Sequence, residues 1–144
     1  MRLTIELVPE TSWYANVRSN VSASAWNKIK LFCSKRAGNK CEICGGVGPK
    51  WPVECHEIWQ FDDLTQTQKL IGLQSLCPNC HAVKHIGRTQ AVGNFDVALK
   101  HLMKVNEWDK NTATRYIEQQ FEIWRVRSTT SWTLDINYLD TLGV

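Results

Sequence analysis

Apolar residues alternate with polar ones in several stretches of the chain, and this period of two predicts strands. Residues 3–8 predict a first strand, and residues 51–59 and 70–76 predict two more, with a polar loop over residues 60–68 between them. The tail from 132 to 139 is typical of either a strand or an extended packing segment. The sequence therefore predicts enough strands for a small sheet.

Other stretches repeat their apolar residues every three to four positions, which predicts amphipathic helices. The predicted helices are one capped by Ser22 or Ser24, one from Pro78 to Ile86 ended by Gly87, one after the cap residue Asn94, and one from about Thr112 to Arg127. Residues 10–21 are polar and indicate a loop. Strands and helices in this order predict an α+β fold.

Composition places the chain among globular proteins. It has 144 residues, of which 43% are hydrophobic and 22% charged, so we expect one domain over residues 1–144. No apolar run approaches the roughly 20 residues that span a bilayer. The first residues alternate and carry no signal-peptide core, so we expect an intracellular, cytoplasmic protein without a membrane partner.

The net charge of +3 conceals an uneven distribution. Residues 16–50 contain seven basic residues and one acidic residue, residues 51–80 have four acidic residues and one basic residue, and residues 81–104 have four basic residues and one acidic residue. An acidic segment between two basic ones is typical of a cation site that an anionic substrate approaches over positive surface. Ordinary solvated lysines would give the same counts.

Four of the six cysteines form two Cys-x-x-Cys pairs, Cys41 with Cys44 and Cys77 with Cys80, with 32 residues between the pairs. Each pair can place two thiolates at corners of a tetrahedron, which predicts one structural Zn²⁺ bound by all four. Cys33 falls on the apolar face of a helix and is assigned to the core. Cys55 is either a core residue or a neighbour of the metal site.

Histidines predict a second site. His81 and His85 are four residues apart, so on a helix both imidazoles lie on one face, which is rotated away from Cys80. His56, in the strand between the two cysteine pairs, is a third candidate ligand for the same ion. His101 has no such partner and is expected at the surface.

The motifs in this order resemble those of the HNH endonuclease family, in its four-cysteine zinc variant. The matching segments are residues 41–44, 53–58 and 76–85, and the resemblance covers about residues 24–88, with a helical C-terminal extension over about 89–144. It implies a treble-clef or ββα-metal (His-Me finger) core packed by additional N-terminal and C-terminal helices. It also implies metal-dependent hydrolysis of phosphodiester bonds, most simply in DNA.

The resemblance assigns catalytic roles to His56, Glu57 and His81, and a divalent cation such as Mg²⁺, Mn²⁺ or Zn²⁺ to His56, His81 and His85. Two positions depart from the family pattern: Glu57 stands where a general-base histidine is usual, and Gly72 replaces an asparagine. If the alignment with the family pattern is shifted by one residue, His56 instead takes the position of the general base. Glutamate has an ordinary pKa of about 4.3, and a nearby cation would lower the pKa of Glu57 further.

Six basic residues are the candidate contacts to nucleic-acid phosphates: Lys28, Lys30, Lys35, Arg36, Lys84 and Arg88. They fit the hypothesis of a small endonuclease with DNA as its partner. The second hypothesis is a catalytically degenerate, zinc-stabilised module that binds nucleic acid or a protein partner. The two departures favour the second hypothesis, and the retained histidine pair favours the first.

Overall fold

The computed structural model describes residues 1–143, which form a mixed α+β fold with one three-stranded sheet. The elements in chain order are α1 (Val17–Asn20), α2 (Ala23–Arg36), β1 (Glu54–Asp62), β2 (Thr67–Leu76), α3 (Pro78–Lys84), α4 (Ile86–Ala91), α5 (Phe95–Asn106), α6 (Lys110–Arg127) and β3 (Thr133–Asp135). Short 3-10 turns cover Glu10–Ser12 and Asn137–Leu142. The predicted α+β class is confirmed.

The sheet has the order β1-β2-β3, with β1 antiparallel to β2 and β3 parallel to β2. The first hairpin strand lies three residues later than the predicted 51–59, and the second begins three residues before the predicted 70–76. The loop between them is therefore only residues 63–66 rather than 60–68. Asp62 organises the turn, because its Oδ1 accepts hydrogen bonds from the backbone N–H groups of Leu64 and Thr65. Most residues near the tip of the hairpin are exposed and polar, although those at the strand ends are paired across the hairpin.

Two apolar clusters lie on opposite faces of the hairpin. One packs the N-terminal segment, α3, α5 and α6 around Leu76 of β2. The other packs α2 and the C-terminal turn against Leu70 and Leu73 of the same strand. Because side chains alternate along a strand, His56 of β1 faces the first cluster and its neighbour Glu57 faces the second.

The predicted strand over residues 3–8 is wrong. Leu3 and Ile5 are buried in alternation as expected, but the segment pairs with side chains instead of a strand. The amide group of Asn106 donates to the Leu3 carbonyl and accepts from the Leu3 N–H, both at 2.8 Å, and the Ile5 N–H donates to the Tyr116 hydroxyl. The backbone is thus satisfied by partners more than 100 residues away.

Three of the four predicted helices begin where the sequence predicts. Ser22 caps α2 by accepting from the Ala25 N–H at 3.1 Å, as predicted. The last helix begins at Lys110 rather than Thr112, because Asp109 caps it. The predicted helix over residues 78–86 divides into α3 and α4 at His85, whose ψ is 49°, and Gly87 lies inside α4 instead of ending the helix.

A buried ion pair joins the N-terminal segment to α3. Lys84 is 3% exposed, and its ammonium donates to the Glu6 carboxylate and, at 2.7 Å, to the Thr4 hydroxyl. The Glu6 N–H donates to the Lys84 carbonyl at 3.0 Å. Burial raises the pKa of the Glu6 carboxyl, but the hydrogen bond with His56 and the nearby ammonium of Lys84 outweigh it and lower the pKa to about 2. Glu6 is therefore ionised at neutral pH.

Replacing Glu6 by glutamine should leave the Lys84 ammonium buried without a counter-charge. We expect Glu6→Gln to lower the free energy of unfolding by about 3 kcal/mol, the lower end for a broken buried pair, because Glu6 is partly exposed. Urea unfolding followed by circular dichroism measures this loss. The control is Glu122→Gln, which breaks an exposed pair with Arg125 and should cost less than about 0.5 kcal/mol. Equal losses in the two variants would contradict the assignment.

Candidate metal centres and the adjacent cleft

The four paired cysteines converge. Cys41, Cys44, Cys77 and Cys80 place their sulfur atoms within 4.8 Å of one another. The first pair lies in the turn before the hairpin, and the second begins α3, where the Cys77 sulfur caps the helix by accepting from the Cys80 N–H at 3.4 Å. The hairpin β1–β2 thus separates the two pairs in sequence and returns the chain to the same point in space.

The donor set fits a soft divalent ion. Backbone N–H groups of Cys44 and Gly46 point at the sulfurs of Cys41 and Cys44, at 3.5 and 3.4 Å, which favours the thiolate form. A hydrogen bond from the Cys80 thiol lowers the pKa of Cys41 to about 4, although burial opposes it. Four sulfur ligands with this support could hold a metal ion such as zinc.

His101 does not behave as the surface residue that the sequence analysis expects. From α5 it reaches the cysteine cluster, and its Nε2 atom lies 3.1 Å from the Cys80 sulfur. An imidazole N–H at this distance can donate to a thiolate that also binds metal, which delocalises the sulfur charge. The prediction for His101 is therefore wrong.

Three imidazoles form a second cluster on the far side of α3. Potential ligand atoms of His56, His81 and His85 lie within 4.8 Å of one another, and the ring centroids are 4.8 to 5.3 Å apart. His81 belongs to α3, and His85 is the residue where α3 ends, so the break in the helix still leaves the two rings adjacent. His56 reaches them from β1.

Two carboxylates orient the imidazoles. Glu6 Oε1 lies 3.2 Å from His56 Nε2, and Glu54 Oε1 lies 2.9 Å from His81 Nδ1. The hydrogen bond with His81 is the main cause that lowers the pKa of Glu54, so both acids are ionised and accept an N–H from their histidine. Nδ1 of His56 and Nε2 of His81 are then the ring nitrogens left for a ligand.

The histidine cluster fits a cation by two observations. His56 is 2% exposed, and its Nδ1 atom has no hydrogen-bond partner within residues 1–143, which is costly unless a ligand takes it. Burial lowers the pKa of His56 and lowers that of His85 to about 3, so both rings are neutral, as a metal ligand must be. Carboxylates hydrogen-bonded to the other ring nitrogens are typical of histidines that bind metal.

A large cleft of about 1410 Å³ opens beside this cluster. His81 and His85 line the cleft, together with Glu54, whereas His56 lies behind them. Several aromatic rings of the N-terminal segment, β1 and α6 form much of the remaining wall. Two of the three histidines are thus reachable from solvent through one opening.

Glu57 makes a structural contact that the sequence does not predict. Its Oε1 accepts from the Val17 N–H at 3.1 Å, and Trp59 also donates to its carboxylate, so Glu57 ties the start of α1 to the sheet. Burial raises the pKa of Glu57. Glu57 reaches the cleft, but it projects from the face of β1 opposite to His56.

The six basic candidates separate into two groups. Lys28, Lys30 and Lys35 are exposed on α2, and Arg88 is exposed where α4 borders the cleft. Arg36 is bound to Glu42 at 3.2 Å and to the Leu73 carbonyl at 2.8 Å. Lys84 is buried in its pair with Glu6, which removes it from the candidate phosphate contacts.

Sequence reasoning missed Glu54 and Glu6 as partners of the histidines. Glu54 had a usable signal, because residues i and i−2 of a strand share a face, which places it beside His56. Across the hairpin, His56 of β1 pairs with Gln74 of β2, which lies two residues from Gly72, where the family pattern has an asparagine. Glu6 and His101 had no local signal, since the tertiary fold alone brings them to the sites.

No protein-family model matches the chain, and neither does any curated protein or solved structure. Within the described residues, none of the helices has both the length and the apolar character that crossing a bilayer requires.

Metal binding at the cysteines should determine whether the chain folds. We expect Cys41→Ser to lose one equivalent of zinc and its cooperative unfolding transition, because a structural zinc contributes roughly 10–16 kcal/mol, as much as the whole stability of a domain. Elemental analysis and thermal unfolding measure both. Cys33→Ala, which alters a buried cysteine of the other cluster, should keep the zinc. A Cys41→Ser protein with the zinc content and melting curve of the parent would refute the site.

The contact of His101 with Cys80 should slow the loss of zinc. We expect His101→Ala to release zinc to a chromophoric chelator about 10-fold faster, the lower end of the effect of outer-shell partners. His101→Gln keeps an N–H donor, so its rate of zinc release should lie between those of the parent and of His101→Ala. Lys100→Ala, at the exposed neighbour, is the control and should match the parent. If His101→Ala and Lys100→Ala release zinc equally fast, the contact does not stabilise the site.

Proposed function

We propose that this protein is a metal-dependent phosphodiesterase of the HNH type that hydrolyses nucleic acid, most simply DNA. The observation that carries the proposal is the convergence of His56, His81 and His85 at the edge of a solvent-filled cleft, with Glu6 and Glu54 orienting two of the rings. Three imidazoles converging beside a cleft, two of them oriented by carboxylates, are an arrangement that suits metal-assisted hydrolysis.

The chain order around the histidines supports this assignment. The antiparallel strands β1 and β2 lead directly into α3, and the histidines come from β1 and from the end of α3. This is the strand-strand-helix order that the resemblance to HNH endonucleases implies, with the four-cysteine cluster at the other end of the same helix. We therefore propose a ββα-metal core of the treble-clef kind, extended by α5 and α6.

In this proposal His56, His81 and His85 hold the divalent cation, which would be Mg²⁺, Mn²⁺ or Zn²⁺. The three nitrogen ligands favour Zn²⁺ over Mg²⁺ and Mn²⁺, because the latter two prefer oxygen. A cation there would supply Lewis-acid stabilisation of the phosphodiester and a more acidic water. The chain itself would contribute ring orientation through Glu6 and Glu54.

The identity of the general base has two candidates, as in the sequence analysis. His56 is buried behind the other rings, and its Nδ1 is better placed for the cation than for a water in the cleft. Glu57 reaches the cleft and has a raised pKa, which suits a base, but its carboxylate already accepts from Val17 and Trp59. We assign His56 to the cation and test Glu57 as the base.

A second candidate function is a zinc-stabilised binding module that has lost catalysis. The placement of Glu57 on the opposite face of β1 and the burial of Lys84 favour it, since both remove a predicted catalytic or phosphate-binding group. Such a module would bind nucleic acid or a protein partner and would leave the histidine cluster without a catalytic task.

Plasmid nicking separates the two functions. With Mg²⁺, Mn²⁺ or Zn²⁺ the parent should relax supercoiled DNA, and His81→Ala or His85→Ala should lower the rate by at least about 100-fold while the cysteine zinc and the circular dichroism spectrum are kept. Gln90→Ala, at an exposed residue of α4, should cleave normally. Loss of cleavage in Glu57→Gln with the second metal retained would make Glu57 the base. A parent that cuts neither this plasmid nor a single-stranded DNA circle with any of these ions would reject the hydrolase in favour of the module.

A further inference from the structure

The cleft beside the histidines has an aromatic wall, which we define as Trp13, Tyr14, Trp26 and Trp59. Trp13 is 59% exposed and Tyr14 is 87% exposed, although both lie in a segment that is otherwise anchored to the protein. Trp26 and Trp59 are partly buried in the second apolar cluster, so the exposed part of the wall is Trp13 and Tyr14. Two large exposed rings side by side at one opening are typical of a binding surface. The aromatic wall therefore marks a binding surface that the metal chemistry does not explain.

The exposed ring of Trp13 is held in one orientation. Its indole N–H donates to the Val8 carbonyl at 3.2 Å, and the same carbonyl accepts from the indole of Trp124 at 2.9 Å. The following residues are also fixed, because Gln68 donates to the Ala15 carbonyl and Glu57 accepts from the Val17 N–H. The polar atom of Trp13 is satisfied, so its ring is available for stacking at little cost in conformational entropy.

The charges in the cleft complement a polyanion. Arg18 and Arg88 line it, and neither guanidinium forms an ion pair with another residue of the described chain. Lys30 does not line the cleft, but its ammonium lies 6.0 Å from the centroid of the Trp26 ring, which does. The acids of the cleft are already engaged, since Glu54 and Glu57 accept hydrogen bonds from their neighbours.

We propose that the cleft binds single-stranded nucleic acid, whose bases stack on the aromatic wall while Arg18 and Arg88 contact its phosphates. The inference rests on the proposed function and names the substrate class for the same site. Rings interleaved with cations are typical of surfaces that bind unpaired strands, because a duplex hides the base faces that stacking needs. A cleft of about 1410 Å³ also exceeds the roughly 300–1,000 Å³ of small-molecule pockets, which favours a polymer.

The position of the aromatic wall links binding to cleavage. His81 and His85 open into the same cleft as Trp13 and Tyr14, so a strand that stacks there passes its backbone beside the histidine cluster. Unpaired nucleotides next to the broken bond would then be part of the recognition. Duplex DNA would be bound only through its phosphates, by the exposed lysines of α2.

Fluorescence anisotropy tests this inference without cleavage, if no divalent cation is added. The probes are a labelled 12-nucleotide DNA strand, the matching RNA strand and the DNA duplex of the same sequence. The parent should bind the strands more tightly than the duplex. The double variant Trp13→Ala with Tyr14→Ala should weaken single-strand binding by about 10- to 100-fold and duplex binding by less than about twofold, because only base stacking is lost.

Three further variants separate stacking from misfolding and from charge. Trp13→Phe with Tyr14→Phe keeps two rings and should keep most of the affinity. Phe32→Ala, at an exposed ring on α2 outside the cleft, should bind as the parent does. Arg18→Ala with Arg88→Ala should reduce the slope of log affinity against log salt by about 1.4 for the single strand, which corresponds to two lost phosphate contacts.

The outcomes distinguish this inference from the proposed function. Equal losses for strand and duplex, or unchanged single-strand affinity in the alanine pair, would overturn the inference even if His85-dependent cleavage is observed. Ring-dependent binding of single strands by a parent that never cleaves would support the inference and reject the hydrolase. A chain that binds none of the three probes would overturn both. A preference between the DNA and RNA strands would identify which polymer the cleft takes.

Discussion

The Glu6 carboxylate is the contact on which both the fold and the histidine cluster depend. One of its oxygens pairs with the buried ammonium of Lys84, and the other lies 3.2 Å from Nε2 of His56. This single group therefore joins the N-terminal segment, α3 and β1. Because Glu6 is ionised, His56 keeps its proton on Nε2 and presents the lone pair of Nδ1. The charge of Glu6 thus contributes to the stability of the fold and also orients a candidate metal ligand. The N-terminal segment is therefore part of the histidine site.

Helix α3 connects the two candidate metal centres through seven residues. Cys77 caps its beginning and Cys80 lies in its first turn, whereas His81 faces the other cluster and His85 ends the helix. A metal ion at the cysteines would fix the start of α3 and hence the positions of both histidines. The Thr89 hydroxyl donates to the Ala82 carbonyl at 2.7 Å where the helix breaks, so the bend that exposes His85 to the cleft is also held. Metal binding at the cysteines would thus help to fix the positions of His81 and His85.

Local spacing allowed the sequence to predict the parts of each site that come from one element. The Cys-x-x-Cys pairs and the interval of four between His81 and His85 work because turn and helix geometry convert spacing directly into proximity. The predictions fail where contacts with residues distant in the sequence determine the structure. Residues 3–8 alternate like a strand but pair with Asn106 and Tyr116. Lys84, a predicted phosphate contact, is instead buried in an ion pair with Glu6. No periodicity could have placed His101 beside Cys80, because only the packing of α5 on α3 does so.

The central claim is that the chain has two separate metal centres, one of sulfur and one of imidazole. The most direct measurement is a crystal structure with anomalous diffraction collected at the zinc edge and, after soaking with Mn²⁺, at the manganese edge. The account predicts two anomalous peaks, one among the four cysteine sulfurs and one bonded to Nδ1 of His56 and to His81 and His85. A single peak at the cysteines, with Nδ1 of His56 still lacking a ligand at saturating Zn²⁺ and Mn²⁺, would contradict it.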